Sequence, residues 1–204
     1  MTAKRHIESV SPSRVDDDVL LDAARACALD RGVARTTLTD VARVAGVSRM
    51  TLYRRFPDVR GLLTALMTRE FGRVLADARA VAALAPTARE RLVTGTVTAV
   101  QAITADPLMR SILDHDGTLL LPYVTERLGT TQRVAEAFLR EQVEAGHADG
   151  SVRQADPGPQ TRALLLVAQS FVLSHRAATA DVPATALPAE LAHLLDKALR
   201  PEEP

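Results

Sequence analysis

The sequence predicts an all-α chain, and three observations carry that expectation. Apolar residues recur at i, i+3 and i+4 along most of its length, and no segment alternates convincingly as a strand would. Prolines stand at or near several segment starts and glycines near the ends. That asymmetry belongs to helices, because a first turn leaves its amides unpaired and glycine reverses the chain at little steric cost. Finally, 204 residues that are 47% apolar supply a core without staples; the single cysteine, Cys27, excludes a disulfide framework and a clustered thiolate metal site.

Residues 1–14, with Pro12 between two serines, read as a flexible arm. A first helix follows over residues 15–31; Asp16, Asp17 and Asp18 suit its positive end and Gly32 stops it. Cys27, among Val19, Leu20, Ala23 and Ala26, reads as a small buried hydrophobe. Thr37 with Asp40 three residues later predicts a capped second helix whose apolar face is Leu38, Val41, Ala42 and Ala45. Gly46 falls where that helix must stop, in the left-handed conformation. Ser48 is a good N-cap for a third helix, in which Leu52 and Phe56 face the core and Arg49, Met50, Thr51, Tyr53 and Arg54 face outward. This is a helix-turn-helix of the kind that enters DNA. Asp58 caps a fourth helix from Val59 to about Leu84, with an apolar stripe of Leu62, Leu63, Leu66, Met67, Phe71, Val74 and Leu75, ended by Pro86. Further helices are predicted at residues 87–105, 107–114, 119 or 123 to 145, 159–179 and 188–199.

The chain is neutral overall, which argues against a nucleic-acid partner until the charges are placed. Seven arginines (31, 35, 43, 49, 54, 55 and 60) face only Asp40 and Asp58 between residues 31 and 60, about +5 on a compensating acidic remainder. Phosphate neutralisation supplies most sequence-independent DNA affinity, so such a segment suits a DNA reader. The first ten residues lack the apolar run of a signal peptide. The longest apolar stretch, 163–173, is broken by Gln169 and Ser170 and falls short of the roughly 20 residues that span a bilayer, so a cytoplasmic protein is expected. Lysine occurs only at Lys4 and Lys197 while arginine, alanine and valine abound, as in a GC-rich bacterial genome.

Residues 20–66 resemble the TetR/AcrR family of bacterial transcription regulators. The resemblance rests on Gly32, Thr37, Val41, Ala42, Ala45-Gly46-Val47-Ser48, Leu52-Tyr53, Phe56 and Leu62-Leu63. It implies an N-terminal three-helix helix-turn-helix DNA-binding domain (15–60) joined by a long helix to an all-helical ligand-binding and dimerisation domain (61–204). Residues 150–157 look like the turn that leads into the family's first dimerisation helix. One departure stands out: where many members carry a lysine that clamps a phosphate, this chain has Val59. Arg60 or Arg55 can substitute, or affinity falls; one lost phosphate contact flattens the salt slope by about 0.9.

By that resemblance the helix of residues 48–55 lies in the major groove. Arg49 then forks onto guanine, Thr51 donates to a base or packs on a thymine methyl, and Met50 makes an apolar contact. Tyr53, Arg54, Thr37 and Arg43 touch phosphates, with Ser48, Arg55 and Arg60 completing the candidate DNA-binding set. One head offers too few contacts for tight binding, so two are expected on a roughly palindromic operator with half-sites about 34 Å apart.

For the body, Leu164, Leu165, Val167, Ala168, Phe171, Val172 and His175, with Leu191, Leu194 and Leu195, exceed what two helices need for one core. They either form a four-helix interface in a homodimer or close the chain's own core. The family holds a small-molecule pocket beside its fourth helix. Candidate lining residues here are Met67, Phe71, Val100, Thr104, Met109, Ile112, His115, Tyr123, Phe138, Gln142 and Gln169; the apolar ones can equally be core, so the polar members discriminate better. A ligand that prefers one conformation would tilt the fourth helices and respace the heads. No cofactor is implied beyond an unidentified small-molecule effector.

Rival readings find less support. Asp114-His115-Asp116 are consecutive, so on a helix they point apart, as in a solvated turn. Glu190 and His193 have the spacing of a di-iron motif that lacks its second copy. No catalytic constellation or metal site is expected. The remaining alternative is a helical-bundle interaction protein with a vestigial DNA-binding head.

Overall fold

The computed structural model describes residues 16–115, apart from the His115 side chain, and 126–202; the expectations for residues 1–14 and for Asp116 and Tyr123 lie outside these. Ten helices and no strand occur among the described residues: α1 (Asp17–Arg31), α2 (Leu38–Val44), α3 (Arg49–Arg55), α4 (Val59–Ala82), α5 (Ala88–Ala105), α6 (Pro107–His115), α7 (Thr130–Asp149), α8 (Pro157–Leu173), α9 (His175–Ala178) and α10 (Leu187–Leu199).

Side-chain caps start each helix of the head. Asp16 Oδ1 accepts from Asp18 N (3.2 Å), Thr37 Oγ1 from Asp40 N (3.2 Å), Ser48 Oγ from Thr51 N (3.1 Å) and Asp58 Oδ1 from Gly61 N (2.7 Å). Each satisfies an amide that the first turn leaves without a partner. Between α2 and α3 the chain turns through Gly46 at φ +67°, and Val47 N closes the turn on Ala42 O (3.0 Å). Only a residue without a β-carbon takes that conformation cheaply. The head core gathers Leu20, Ala24, Cys27, Val41 and Leu52 from α1 to α3 with Leu62 and Leu66 from α4. Leu108 and Ile112 of α6 belong to the same core. The head is therefore not closed by its first sixty residues; a helix from the body completes it.

The body packs α4, α5, α7, α8 and α10 around Leu92, Leu139, Val143, Leu164, Leu191 and Leu195. The capping box of Thr87 and Glu90 starts α5. Gly95 in α5 allows three helices to meet: a β-carbon there would lie 2.7 Å from Phe138 Cζ of α7 and 3.2 Å from Ala82 Cβ of α4.

Several boundaries differ from expectation. Residues 119–125 of the helix predicted from 119 or 123 lie outside the described residues; among those described it begins at Thr130, because 127–129 are not helical and Gly129, extended at φ −77°, ψ 172°, donates its N–H to the side chain of Gln132 (2.6 Å). It continues past Ala145 to Asp149, since Gly146 fits only against Val152 while Gly150 takes the left-handed turn. The helix predicted over 159–179 starts earlier, at Pro157 under an Asp156 cap. It breaks at Ser174 (φ −92°, ψ 2°), leaving α9 a single turn. The fourth helix ends two residues early, at Ala82.

Candidate nucleic-acid interface and ligand cavity

One surface of the head is made by α3 and the start of α2. Because Leu52 (fully buried) and Phe56 anchor α3 inward, Arg49, Met50, Tyr53 and Arg54 stand outward; Met50 is 76% exposed and Tyr53 45%. Arg49 and Arg54 form no ion pair among the described residues, so their guanidiniums are available to phosphate or base edges. Thr51 is half-buried, its hydroxyl 2.8 Å from Ser48 Oγ; Ser48 and Thr37 are exposed while capping their helices. Arg43 is exposed, 3.7 Å from Asp40. Thr37 Oγ1 donates to Asp40 Oδ2 (2.7 Å), and that bond, reinforced by Arg31 and Arg43, holds the Asp40 carboxyl below its usual range.

Arg55 and Arg60 differ from the others. Arg55 grips Asp17 of α1 with two nitrogens, Nε at 2.6 Å, and that hydrogen-bonded partner raises its pKa further. It serves as a brace between α3 and α1. Arg60, in the first turn of α4, borders a cavity in the body. Arg35, part of the basic segment but not among the candidate contacts, is exposed and without an ion pair among the described residues.

That cavity is large, about 1070 Å³, at the top of the roughly 300–1,000 Å³ usual for small-molecule sites. It lies between α4, α5, α6, α7 and α8 and reaches the α1–α2 loop at Val33 and Thr36. Met67, Phe71, Val100, Met109, Ile112, Phe138 and Gln169 line it. Thr104 does not; it is buried with its hydroxyl bonded back to Val100 O (2.9 Å), as mid-helix threonines do. Gln142 is also off the wall, accepting from Arg91 Nε at 3.1 Å. The side chain of His115 and all of Tyr123 lie outside the described residues. Leu63, one turn before Met67, and Arg133 on α7 line the wall and were missed; the helical repeat could have found Leu63, but no sequence signal marks Arg133. Gln169 Oε1 is buried on this wall without a hydrogen-bond partner among the described residues.

Between the two sites runs a shared element. Asp106 caps α6, accepting from Leu108 N (2.8 Å) and Met109 N (3.0 Å), and its second oxygen takes Arg25 of α1 at 3.5 Å. Arg25 also pairs with Glu70 of α4 (3.3 Å). Thus α6 is pinned to the head at its start, buries Leu108 in the head core and turns Met109 to the cavity.

Of the expected interface residues, Leu164, Leu191 and Leu195, and Leu165 with them, are buried in the chain's own core, at 5%, 0%, 2% and 3% exposure, which leaves them little surface for a partner. Ala168, Phe171 and Val172 are half-buried against that core, and His175 is half-buried. Val167 and Leu194 (53%) are exposed, as is Leu166 (56%), which was missed because it sits one position off the stripe.

Among known proteins, residues 20–66 match the family model for bacterial regulatory proteins of the tetR family. An uncharacterized HTH-type transcriptional regulator of Mycobacterium tuberculosis is 36% identical over 92% of this chain and 97% of its own length. Two solved structures share the fold: FadR of Bacillus subtilis with stearoyl-CoA (TM-score 0.68, 16% identity, 91% of this chain and 100% of that one) and SmeT of Stenotrophomonas maltophilia with triclosan (TM-score 0.65, 18% identity, 90% and 91%). With the helix-turn-helix in place and this relative matching nearly end to end, the chain belongs to the tetR family of bacterial regulatory proteins.

Proposed function

We propose that the protein is a homodimeric, ligand-responsive repressor that reads a palindromic operator through the helix of residues 48–55. A small molecule in the body controls head spacing. The observation that carries this reading is α6, which has Leu108 in the core of the head while Met109 lines the cavity. A ligand that fits one arrangement of α6 better than another would bias the heads by that difference in affinity and by no more. Both structural neighbours described above hold small molecules, which supports a ligand in this body. The working division is an arm (1–14), a DNA-binding head (15–60) and a ligand and dimer body (61–204), in the cytoplasm; among the described residues no helix is long and apolar enough to cross a membrane. Arg49, Met50, Thr51 and Tyr53 meet the groove, with Thr37, Arg43, Ser48 and Arg54 on the flanking phosphates. Leu166, Val167 and Leu194 form the centre of the dimer face.

The test is selection of binding sequences from random duplex DNA by the full chain at two salt concentrations. A palindrome with half-sites near one helical turn apart is expected, with Arg49→Ala weakening it by about 10- to 100-fold for one lost bidentate base contact. Folded protein that enriches nothing at either salt would sink the reading. In that case the vestigial-head alternative takes its place.

A further inference from the structure

We propose that Arg35, in the turn before α2, contacts a DNA phosphate, and that the phosphate footprint of the head includes it in place of Arg55. The inference rests on the regulator reading and extends the surface that reading uses.

Most arginines are already spent by the fold. In the body they are tied to carboxylates, as Arg79 is to Glu141 and Arg162 to Glu136, or to carbonyls, as Arg153 is to Ala198 O (2.8 Å). In the head Arg31 and Arg43 share Asp40, and Arg55 is held by Asp17. Among the described residues only Arg35, Arg49, Arg54, Arg60 and Arg133 form neither an ion pair nor a hydrogen bond. Arg133 is half-buried on the cavity wall, but the other four fall between residues 35 and 60, before α2, on α3 and in the first turn of α4. Those three elements pack on one core, through Leu38, Leu52 and Leu62. A guanidinium with no anion of its own keeps its charge and its fork of donors for an external one, and phosphate fits that fork.

Of these four, Arg35 is the one without a role so far. The backbone around it is fixed: Gly32 turns at φ 88°, Thr36 N donates to Val33 O (3.2 Å) and Thr36 Oγ1 donates to Gly32 O (3.0 Å). Val33 and Thr36 are buried, and between them Arg35 stands exposed. Two residues of chain, at most about 7 Å, separate it from Thr37, which is exposed on the surface that α3 and the start of α2 make. The acids on either side in the chain are taken. Asp30 pairs with Arg31 (3.2 Å), and Asp40 holds Thr37, Arg31 and Arg43. Arg35 is therefore an unbalanced cation at this edge of the head, carried on a turn that loses little freedom when it binds. Arg55 lies at the end of α3, but a phosphate that reached it would have to displace Asp17 first.

The experiment follows binding of the full-length protein to an arbitrary duplex, and to the palindrome selected from random DNA, by fluorescence anisotropy over a salt series. Arg35→Gln should flatten the plot of log K against log salt by about 0.9 per head, or about 1.8 for two heads on DNA. Arg35→Lys should restore most of that slope, because counterion release needs the charge. Arg55→Gln should flatten it less than Arg35→Gln does, and Arg140→Gln, whose partner is Glu144 on the body, should leave it unchanged. The palindrome selected by Arg35→Gln should be that of the unaltered chain, since phosphate contacts carry no sequence. Its unfolding midpoint should also stay, as no internal partner is lost, so that a flattened slope reports DNA contact rather than a damaged fold. An unmoved slope in Arg35→Gln, a slope that Arg35→Lys fails to restore, a larger effect at Arg55 or an altered palindrome overturns the proposal. Salt-dependent binding with an unmoved slope in Arg35→Gln removes Arg35 alone; if the unaltered chain shows no salt-dependent binding, the regulator reading falls and Arg35 falls with it.

Discussion

The head and the body are both bundles of helices, yet they are built to different tolerances. Every helix of the head begins under a side-chain cap, from Asp16, Thr37, Ser48 and Asp58, and its core is filled by Leu20, Val41, Leu52, Leu62 and Leu66 with almost no exposure. The body also caps α5, α6 and α8, with Thr87, Asp106 and Asp156, but Gly129 at the start of α7 and Ala186 at the start of α10 have no side-chain cap, and it surrounds a cavity of about 1070 Å³. On the proposed reading, caps and dense packing hold the surface offered to a DNA groove, while the uncapped starts of α7 and α10 beside the cavity leave those helices freer to shift around a ligand. Local stability need not be uniform, and moving elements come from its low end. Helix α6 joins the two regimes, since its Asp106 is held by Arg25 of α1 while its Met109 faces the cavity.

The sharpest break of this contrast uses two adjacent residues. Leu66 is fully buried in the head core, whereas Met67, the next residue of α4, is half-buried on the cavity wall. Leu66→Ala should cost about 2–5 kcal/mol, the transfer of its side chain plus the void left behind. Met67→Ala only widens an existing space and should cost less than half as much. Denaturant unfolding of both variants decides it. Equal losses would mean that the cavity wall is packed as tightly as the head, and the contrast would fall.

Sequence reasoning reached the head almost residue by residue because its signals are local. A cap, a glycine with positive φ and an i, i+4 pair such as Leu52 and Phe56 all act within one or two turns. The body was legible only as a series of helices. Whether Leu164 or Leu166 faces a partner depends on where α10 packs, and both lie in one apolar run, so periodicity alone favoured the buried one. Thr104 and Gln142 read as pocket polars, but a carbonyl one turn back and Arg91 across the bundle take their hydrogen bonds. Arg55, read as a phosphate contact, is held by Asp17, which lies 38 residues earlier in the chain.

A smaller effect sharpens the comparison at the helix starts. Ser48→Ala removes the oxygen that Thr51 N donates to at 3.1 Å, and about 1 kcal/mol of stability should go with it. The DNA-facing turn frays at the same time, so non-specific DNA binding should weaken alongside. Gly129→Ser is the mirror experiment: it supplies a side-chain acceptor where α7 has none and should raise stability by a few tenths of a kcal/mol. Thermal unfolding of the two variants should move in opposite directions. A gain at Gly129 as large as the loss at Ser48 would show that the body lacks ordinary caps at a real cost, contrary to a start left loose around the ligand.

The smallest effect concerns acid. Asp40 accepts from Thr37 Oγ1 at 2.7 Å and lies beside Arg31 and Arg43, so its carboxyl is depressed in the folded head relative to about 3.9 in an unfolded chain. The sign follows from linkage. A group that binds its proton less readily when folded contributes stability above the unfolded value, and that contribution is lost as pH falls through the folded one. Asp149 is likewise depressed, first by the Ser151 hydroxyl and then by Ala88 N, but it ties α7 to α5 at the end of the body farthest from the head. Thermal unfolding followed from pH 5 to pH 3 should therefore show a slightly flatter decline in Asp40→Asn than in the unaltered chain, with the difference opening only below about pH 4. If unfolding of head and body is resolved, the flattening should appear in the head transition alone, because Asp149 still titrates in both proteins. A difference of the opposite sign would mean that the Thr37 hydroxyl favours the protonated carboxyl, and that the start of α2 is held by the backbone cap without help from charge.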